Sequence, residues 1–298
     1  MDTVLKTNGI VKKYGNNTVL NNINMTINRG DIYGFIGKNG AGKTTFMRVV
    51  LSLTNHNQGE INFFDNKRIE EVGLKVGSLI EAPGLYKNAS AHENLKRFSI
   101  IYNADESKID ELLELVGLSN VGNKKVKDFS LGMRQRLGIA IALLGDPEFL
   151  LLDEPINGLD PEGIKEIRDV ILKLNKEKGI TFLISSHLLD ELSKIVTRYG
   201  IINNGILVEE IEAKELKNRC RSKLIIECND LEKAKKIIAK TIKNDKDVII
   251  NKNRIEVHNE INESALMNKK LVEAGISVEA LYPNYDSLEE YFMKRIGD

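Results

Sequence analysis

Apolar positions fall in short, nearly continuous runs, each ended by glycine or a polar loop. Ile32 to Ile36, Val76 to Ile80, Phe149 to Leu152 and Thr181 to Ser185 are four such runs. Runs of this length suit parallel strands buried on both faces. Between them lie stretches with helical periodicity: Lys43 to Leu53, a largely helical block from about Ala91 to Leu144, and Pro161 to Lys178. Strands alternating with helices predict an α/β core. The chain before Ile32 reads as two short strands around a turn at Gly15-Asn16-Asn17, and Asn204-Gly205 between Ile201-Ile202 and Ile206-Leu207-Val208 predicts a hairpin.

A second unit begins near Lys214. Lys223 to Cys228 reads as a strand, Asp230 to Thr241 as a helix, and Val248 to Ile250 with Arg254 to Val257 as a hairpin over Asn251-Lys252-Asn253. A helix from Glu263 to Ala274, a strand from Ile276 to Tyr282 and a final helix from Ser287 follow. The order βαββαβ predicts a small ferredoxin-like α+β layer. The expected domains are therefore 1–212 and 213–298, with no internal repeat.

Charge and composition exclude several functions. The 298 residues hold 43 Lys+Arg against 43 Asp+Glu, and that zero balance argues against a dedicated nucleic-acid binder. With 42% apolar and 29% charged residues the chain can bury a core. No apolar run reaches the ~20 residues of a membrane span. The first residues, Met1-Asp2-Thr3-Val4-Leu5-Lys6, lack the layout of a signal peptide. Two cysteines, Cys220 and Cys228, are too few for a disulfide framework or a zinc site and suggest a reducing compartment.

The chemistry starts at Gly37-Lys38-Asn39-Gly40-Ala41-Gly42-Lys43-Thr44, which fits G-x-x-x-x-G-K-[ST] between a strand and a helix. Glycines let backbone N–H groups curl around phosphates, and the helix N-terminus adds positive potential. Lys43 can reach the β- and γ-phosphates, and the Thr44 hydroxyl can ligate Mg²⁺. Further along, Phe149-Leu150-Leu151-Leu152-Asp153-Glu154 is an apolar strand ending in two carboxylates. Asp153 is placed to hold the Mg²⁺ shell and Glu154 to polarise an attacking water. Taken singly, an Asp-Glu pair is often a solvated turn, Ser130 ahead of a helix an ordinary N-cap, and His187 a loop residue.

Together, Gly37 to Thr44, Ser130-Leu131-Gly132, Leu150 to Glu154, Gly158-Leu159-Asp160 and His187 resemble the ATP-binding-cassette (ABC) ATPases over about residues 3 to 212. The resemblance implies a P-loop fold with a mixed sheet core, an antiparallel β subdomain and a helical subdomain at about 85–145. It implies ATP bound by the loop from Gly37 through Lys38, Asn39, Gly40, Ala41, Gly42, Lys43 and Thr44 to Thr45, with adenine stacked on Tyr14. It implies catalysis by Glu154 and His187, and Mg²⁺ at Thr44, Asp153 and Glu81. Asp160 looks like the D-loop carboxylate. ATP would be sandwiched between this chain and a second copy or paralogue, whose Ser130 and Gly132 cover it.

Three departures narrow the likeness. Lys38 stands where proline is frequent. Leu131 and Met133 replace a small residue and an amide in the signature. In Ile80-Glu81-Ala82-Pro83-Gly84-Leu85-Tyr86, Glu81 occupies the usual place of the Q-loop glutamine. These variants, with Gly30-Asp31-Ile32-Tyr33-Gly34-Phe35, look like the bacitracin-resistance and lantibiotic-immunity exporter ATPases. The tail Ser287-Leu288-Glu289-Glu290-Tyr291-Phe292 is similar to that of ABC-2-type exporter ATPases. The implied function is ATP hydrolysis that powers a separate membrane permease against antimicrobial peptides, from the cytoplasmic face of the membrane. Two other readings stay open: a soluble ABC ATPase outside transport, and a nucleotide sensor of low turnover.

Overall fold

The computed structural model describes residues 2–64, 66–220, 222–242, 247–251, 253–258, 263–285 and 288–296. Contacts divide it into two units, Met1–Ala213 and Lys214–Asp298. In the first, a six-stranded sheet runs in the order Val76–Leu79, Phe149–Asp153, Thr181–Ser186, Ile32–Ile36, Arg198–Asn203, Ile206–Glu212. The first five strands are parallel and the last is antiparallel. Their continuous apolar runs are buried on both faces; all five residues of Phe149–Asp153 and of Ile32–Ile36 are inside. The expected mixed α/β core is what forms.

A three-stranded antiparallel sheet joins Asn17–Asn28, Thr3–Tyr14 and Gln58–Phe63. The two opening strands are 12 residues each, longer than expected. Polar interruptions such as Asn21-Asn22 conceal their length, because this sheet alternates buried and exposed positions. Gln58–Phe63 is a strand the apolar pattern does not reveal, since its first three residues are exposed. Phe63 meets Phe149 at 6.5 Å between ring centroids and ties the two sheets into one core.

The block after residue 90 is helical in pieces: Ala91–Tyr102, Ile109–Leu115 and Leu131–Ala142, joined by short 3₁₀ turns. The Ser90 hydroxyl accepts from Glu93 N–H while the Glu93 carboxylate accepts from Ser90 N–H, a capping box that fixes the first helix. Asn94, fully buried, accepts from Tyr86 N–H and donates to the Tyr86 and Ser90 carbonyls. That side chain pins the loop leading into the helices.

Within the second unit, four antiparallel strands lie in the order Val248–Asn251, Arg254–His258, Ser222–Cys228, Val278–Tyr285. Helices Leu231–Ala239 and Ser264–Glu273 supply Ala234, Ile238, Met267 and Leu271 to its core, a split βαβ arrangement. Pro283 sits in an edge strand, where a missing N–H costs least. The final helix spans Leu288–Ile296; Ser287, with Lys252 of the expected hairpin turn, lies outside the described residues. Cys220 and Cys228 are not joined in a disulfide.

One buried charge belongs to this sheet. Glu256, 5% exposed, faces Arg254 Nη2 at 3.0 Å, Lys223 Nζ at 3.4 Å and Asn251 Nδ2 at 3.1 Å. Burial pushes its pKa up, but the bonds from Arg254, Lys223 and Asn251 outweigh it and hold the carboxyl below its ordinary value. A depressed folded pKa gives stability that is present above the unfolded pKa of ~4.3 and lost as pH falls through the folded value. Glu256→Gln is expected to ease opening of strand Arg254–His258 by about 1–3 kcal/mol and to flatten that acid dependence. Hydrogen exchange of the strand amides checks it; wild-type protection in the variant would contradict the assignment.

Candidate nucleotide site

Parallel strands end at one edge of the sheet, and their loops form the crevice where ligands bind in such folds. Register sets what meets there. Asp153 pairs with Ser185, and Ser185 with Phe35, so three strand ends lie side by side. Leu79 pairs with Leu152, which brings the segment after Leu79 alongside Asp153. The loops after Ile36, Leu79, Asp153 and Ser186 therefore converge without help from side chains.

The Gly37–Gly42 turn is shaped by the lack of Cβ atoms. One on Gly37 would stand 2.4 Å from the Ile202 carbonyl oxygen, and Gly42 adopts φ +108° at the N-cap of helix Lys43–Val50, a region other residues rarely enter. Phe46 of that helix packs on Phe35 at 5.2 Å, which seats the helix on the sheet. Asn39, Gly40, Thr45, Glu154 and Asn157 line the cleft above the turn.

Side-chain bonds then lock the carboxylates. Lys43, 6% exposed, donates to the Gly37 carbonyl at 2.7 Å and the Lys38 carbonyl at 3.3 Å, and lies 3.3 Å from Glu154 Oε1. Thr44 Oγ1 donates to Asp153 Oδ2 at 2.7 Å. Ser185 Oγ, fully buried, donates to Asp153 Oδ1 at 2.5 Å and accepts from Glu154 N–H at 2.8 Å. His187 Nδ1 meets Glu154 Oε2 at 2.8 Å. Glu154 has φ +48°, a strained backbone for a non-glycine residue. Its amide bond to Ser185 and its carboxylate contacts hold it there.

The geometry thus joins Lys43, Thr44, Asp153, Glu154 and His187 in one hydrogen-bonded set. Thr44 and Asp153 present hard oxygen donors one hydrogen bond apart, a fit for Mg²⁺, which takes few protein ligands and fills its shell from phosphates and water. The other expected residues are engaged elsewhere. Glu81, with φ +61°, carries its carboxylate to Arg48 Nη2 at 2.5 Å rather than to Thr44 or Asp153. Ser130 Oγ accepts from Met133 N–H, and Asp160 Oδ1 from Gly163 N–H, so each caps its own helix. Tyr14 is half-exposed, with Lys12 Nζ 4.5 Å from its ring centre. Leu131, a departure in the signature, packs on Gly158, where a Cβ would lie 3.4 Å from Leu131 Cδ2. Gly132 faces Gly163, the gap from a built Cβ being 3.7 Å.

Sequence reasoning missed Ser185 and Arg48. A hydroxyl ending the buried run Phe182-Leu183-Ile184, two residues before His187, was the available signal for the first. A cation one turn after Thr44 was the signal for the second.

The chain is similar in sequence and fold to known proteins. A family model described as ABC transporter matches residues 20–157. The bacitracin transport ATP-binding protein BcrA of Bacillus licheniformis is 44% identical over the whole of this chain and 98% of its own length. The lantibiotic transport ATP-binding protein SrtF of Streptococcus pyogenes is 46% identical over 70% of this chain and 91% of its own. Among solved structures, cbiO1 of Clostridium perfringens, part of the ABC transporter complex cbiONQ, is 28% identical with a TM-score of 0.66, covering 72% of this chain and 91% of that one. A dimeric ATP-binding cassette in a post-hydrolysis state, bound to ADP and Pi, is 25% identical with a TM-score of 0.62, covering 70% of this chain and 98% of its own.

Proposed function

This chain belongs to the ABC transporter family, and from that premise we propose that it is the ATP-hydrolysing subunit of an exporter that removes antimicrobial peptides of the bacitracin or lantibiotic type. The observation that carries the enzymatic half is the bonded row Lys43, Glu154, His187 at the mouth of the glycine turn. The transport half rests on full-length similarity to a bacitracin transport ATP-binding protein.

The mechanism follows from the positions. The loop from Gly37 to Thr45 binds the phosphates through backbone N–H groups, and the Lys43 ammonium turns from the Gly37 and Lys38 carbonyls to the β- and γ-phosphates. Thr44 and Asp153 would hold Mg²⁺, with Glu81 as a third oxygen donor, and the ion would supply positive charge against the nucleotide phosphates. Glu154 accepts the proton of the attacking water as general base. His187, whose Nδ1 lies 2.8 Å from Glu154 Oε2, would orient that carboxylate and present the other edge of its ring to the γ-phosphate. Tyr14 offers a ring face to adenine. Ser130, Gly132 and Asp160 would act on the nucleotide of a second copy or paralogue in an ATP sandwich.

Among the described residues no helix is long and apolar enough to cross a membrane, so the spans would come from a separate permease. Its docking surface is placed near Glu81 to Tyr86 and the helix that follows. Ile100 and Ile101 are over two-thirds exposed there, and the Tyr86 ring lies 5.9 Å from the tilted ring of Phe98 and 4.7 Å from the Arg97 guanidinium. The chain would thus work peripherally, on the cytoplasmic face of the membrane. Co-expression with a candidate permease subunit should raise resistance of a sensitive bacterium to bacitracin or lantibiotics, and Glu154→Gln should abolish the gain. Unchanged sensitivity across a peptide panel, with ATP turnover intact, would sink the peptide assignment.

A further inference from the structure

Glu81 poses a problem for a phosphate site. A carboxylate beside a glycine turn repels nucleotide phosphates until metal arrives, yet attracts the metal once it comes. The position is close to both: the register Leu79 to Leu152 carries the segment after Leu79 alongside Asp153. In the structure the Glu81 carboxylate is turned to Arg48, Nη2 to Oε1 2.5 Å, on a backbone with φ +61°. Arg48 belongs to helix Lys43–Val50. It lies four residues after Thr44, hence on the same helix face and about 6 Å further along the axis. One face of the phosphate-loop helix thus carries the hydroxyl that meets Asp153 and, one turn behind it, the cation that meets Glu81.

We propose that Arg48 is a positioning residue that holds the Glu81 carboxylate off the phosphate site and releases it when nucleotide arrives with its metal. This rests on the reading above that Glu81 serves the metal. As an ion pair it adds little to stability, since both side chains are partly exposed and solvent screens them. Its effect is on where a negative charge stands. With Arg48 in place, nucleotide without metal meets a neutralised carboxylate. Without it, Glu81 is free to repel bare phosphates and to engage the metal at once. The device also answers the chemical departure at this position, because a glutamine would need no such counter-charge.

The test is the ratio of affinities for the non-hydrolysable ATP analogue AMP-PNP with Mg²⁺ and with EDTA, measured at low salt by calorimetry. Wild type, Arg48→Gln, Glu81→Gln and the double variant are compared. Arg48→Gln should weaken EDTA binding and raise the Mg²⁺-to-EDTA ratio about tenfold, an effect that fades as added salt screens the charges. In the Glu81→Gln background, removal of Arg48 should lower both affinities alike and move the ratio by less than about twofold. Arg48 is overturned as the holder of Glu81 if its removal shifts the ratio equally in both backgrounds, or in neither while Glu81→Gln alone shifts it. A ratio unmoved by Glu81→Gln itself, and by every other variant, would instead overturn the parent reading of Glu81 at the metal. Because both side chains reach solvent, thermal melting of the variants should match wild type.

Discussion

Glu154→Gln should lower the rate of ATP hydrolysis by about 10²–10⁴-fold while ATP still binds. The amide keeps the shape of the side chain, so the strained turn at φ +48°, its bond from Glu154 N–H to Ser185 and the packing of strand Phe149–Asp153 persist. What is lost on the proposed mechanism is the basic oxygen that would take a proton from water, and with it the carboxylate partner of Lys43 and His187. Removing that anion leaves Lys43 more attractive to phosphates, so ATP affinity should hold or rise. On the proposed mechanism a sandwich dimer formed on ATP would then persist, because its nucleotide is no longer cleaved. Steady-state phosphate release and size-exclusion chromatography with Mg²⁺-ATP read the two effects. Turnover within a few-fold of wild type would move the base to another residue.

Ser185→Ala should be nearly as severe, through position rather than proton transfer. The hydroxyl is fully buried, gives its proton to Asp153 Oδ1 and receives the Glu154 amide proton. Alanine leaves the part-buried Glu154 N–H unpaired and one carboxylate oxygen without its donor, at a cost of up to about 1–3 kcal/mol for each unsatisfied group. Asp153 and Glu154 then lose their fixed orientation, and displacement of a catalytic group by about 1 Å costs up to about 10²-fold in rate. The expected signature is a fall in kcat of about ten- to a hundredfold, a raised Mg²⁺ requirement and little change in EDTA-ATP affinity. Ser185→Thr keeps the hydroxyl and should restore most of the rate. If alanine and threonine behave alike, or if alanine changes melting but leaves kcat and the Mg²⁺ requirement alone, Ser185 is merely a core residue.

The two predictions differ in how the sequence announces them. Glu154 is legible because the chemistry demands it at a fixed place: an apolar strand must run out of the core before a carboxylate can meet water, and Phe149 to Leu152 does so. Ser185 carries no such demand, since a serine ending a strand has many uses. Only the pairing of Asp153 with Ser185 across adjacent strands turns it into the support of both carboxylates.

The sequence by itself determined the phosphate turn, the carboxylates that end the run Phe149 to Leu152, and the alternation of strands and helices. Each of these is fixed by local rules, by the missing Cβ at Gly37, the buried run ahead of Asp153 or helical periodicity from Pro161 to Lys178. Helix Pro161–Lys178 has the bounds its pattern predicts. The strand Gln58–Phe63 escaped because its partner, Thr3–Tyr14, is far away in the chain and supplies the pattern its own residues lack. The fate of Glu81 was likewise decided by folding alone. Its charge is visible in the chain, but whether that charge faces the phosphates or Arg48 depends on how a helix and a strand end thirty-three residues apart are brought together. Local chemistry names the groups that can react; register and packing decide which of them meet.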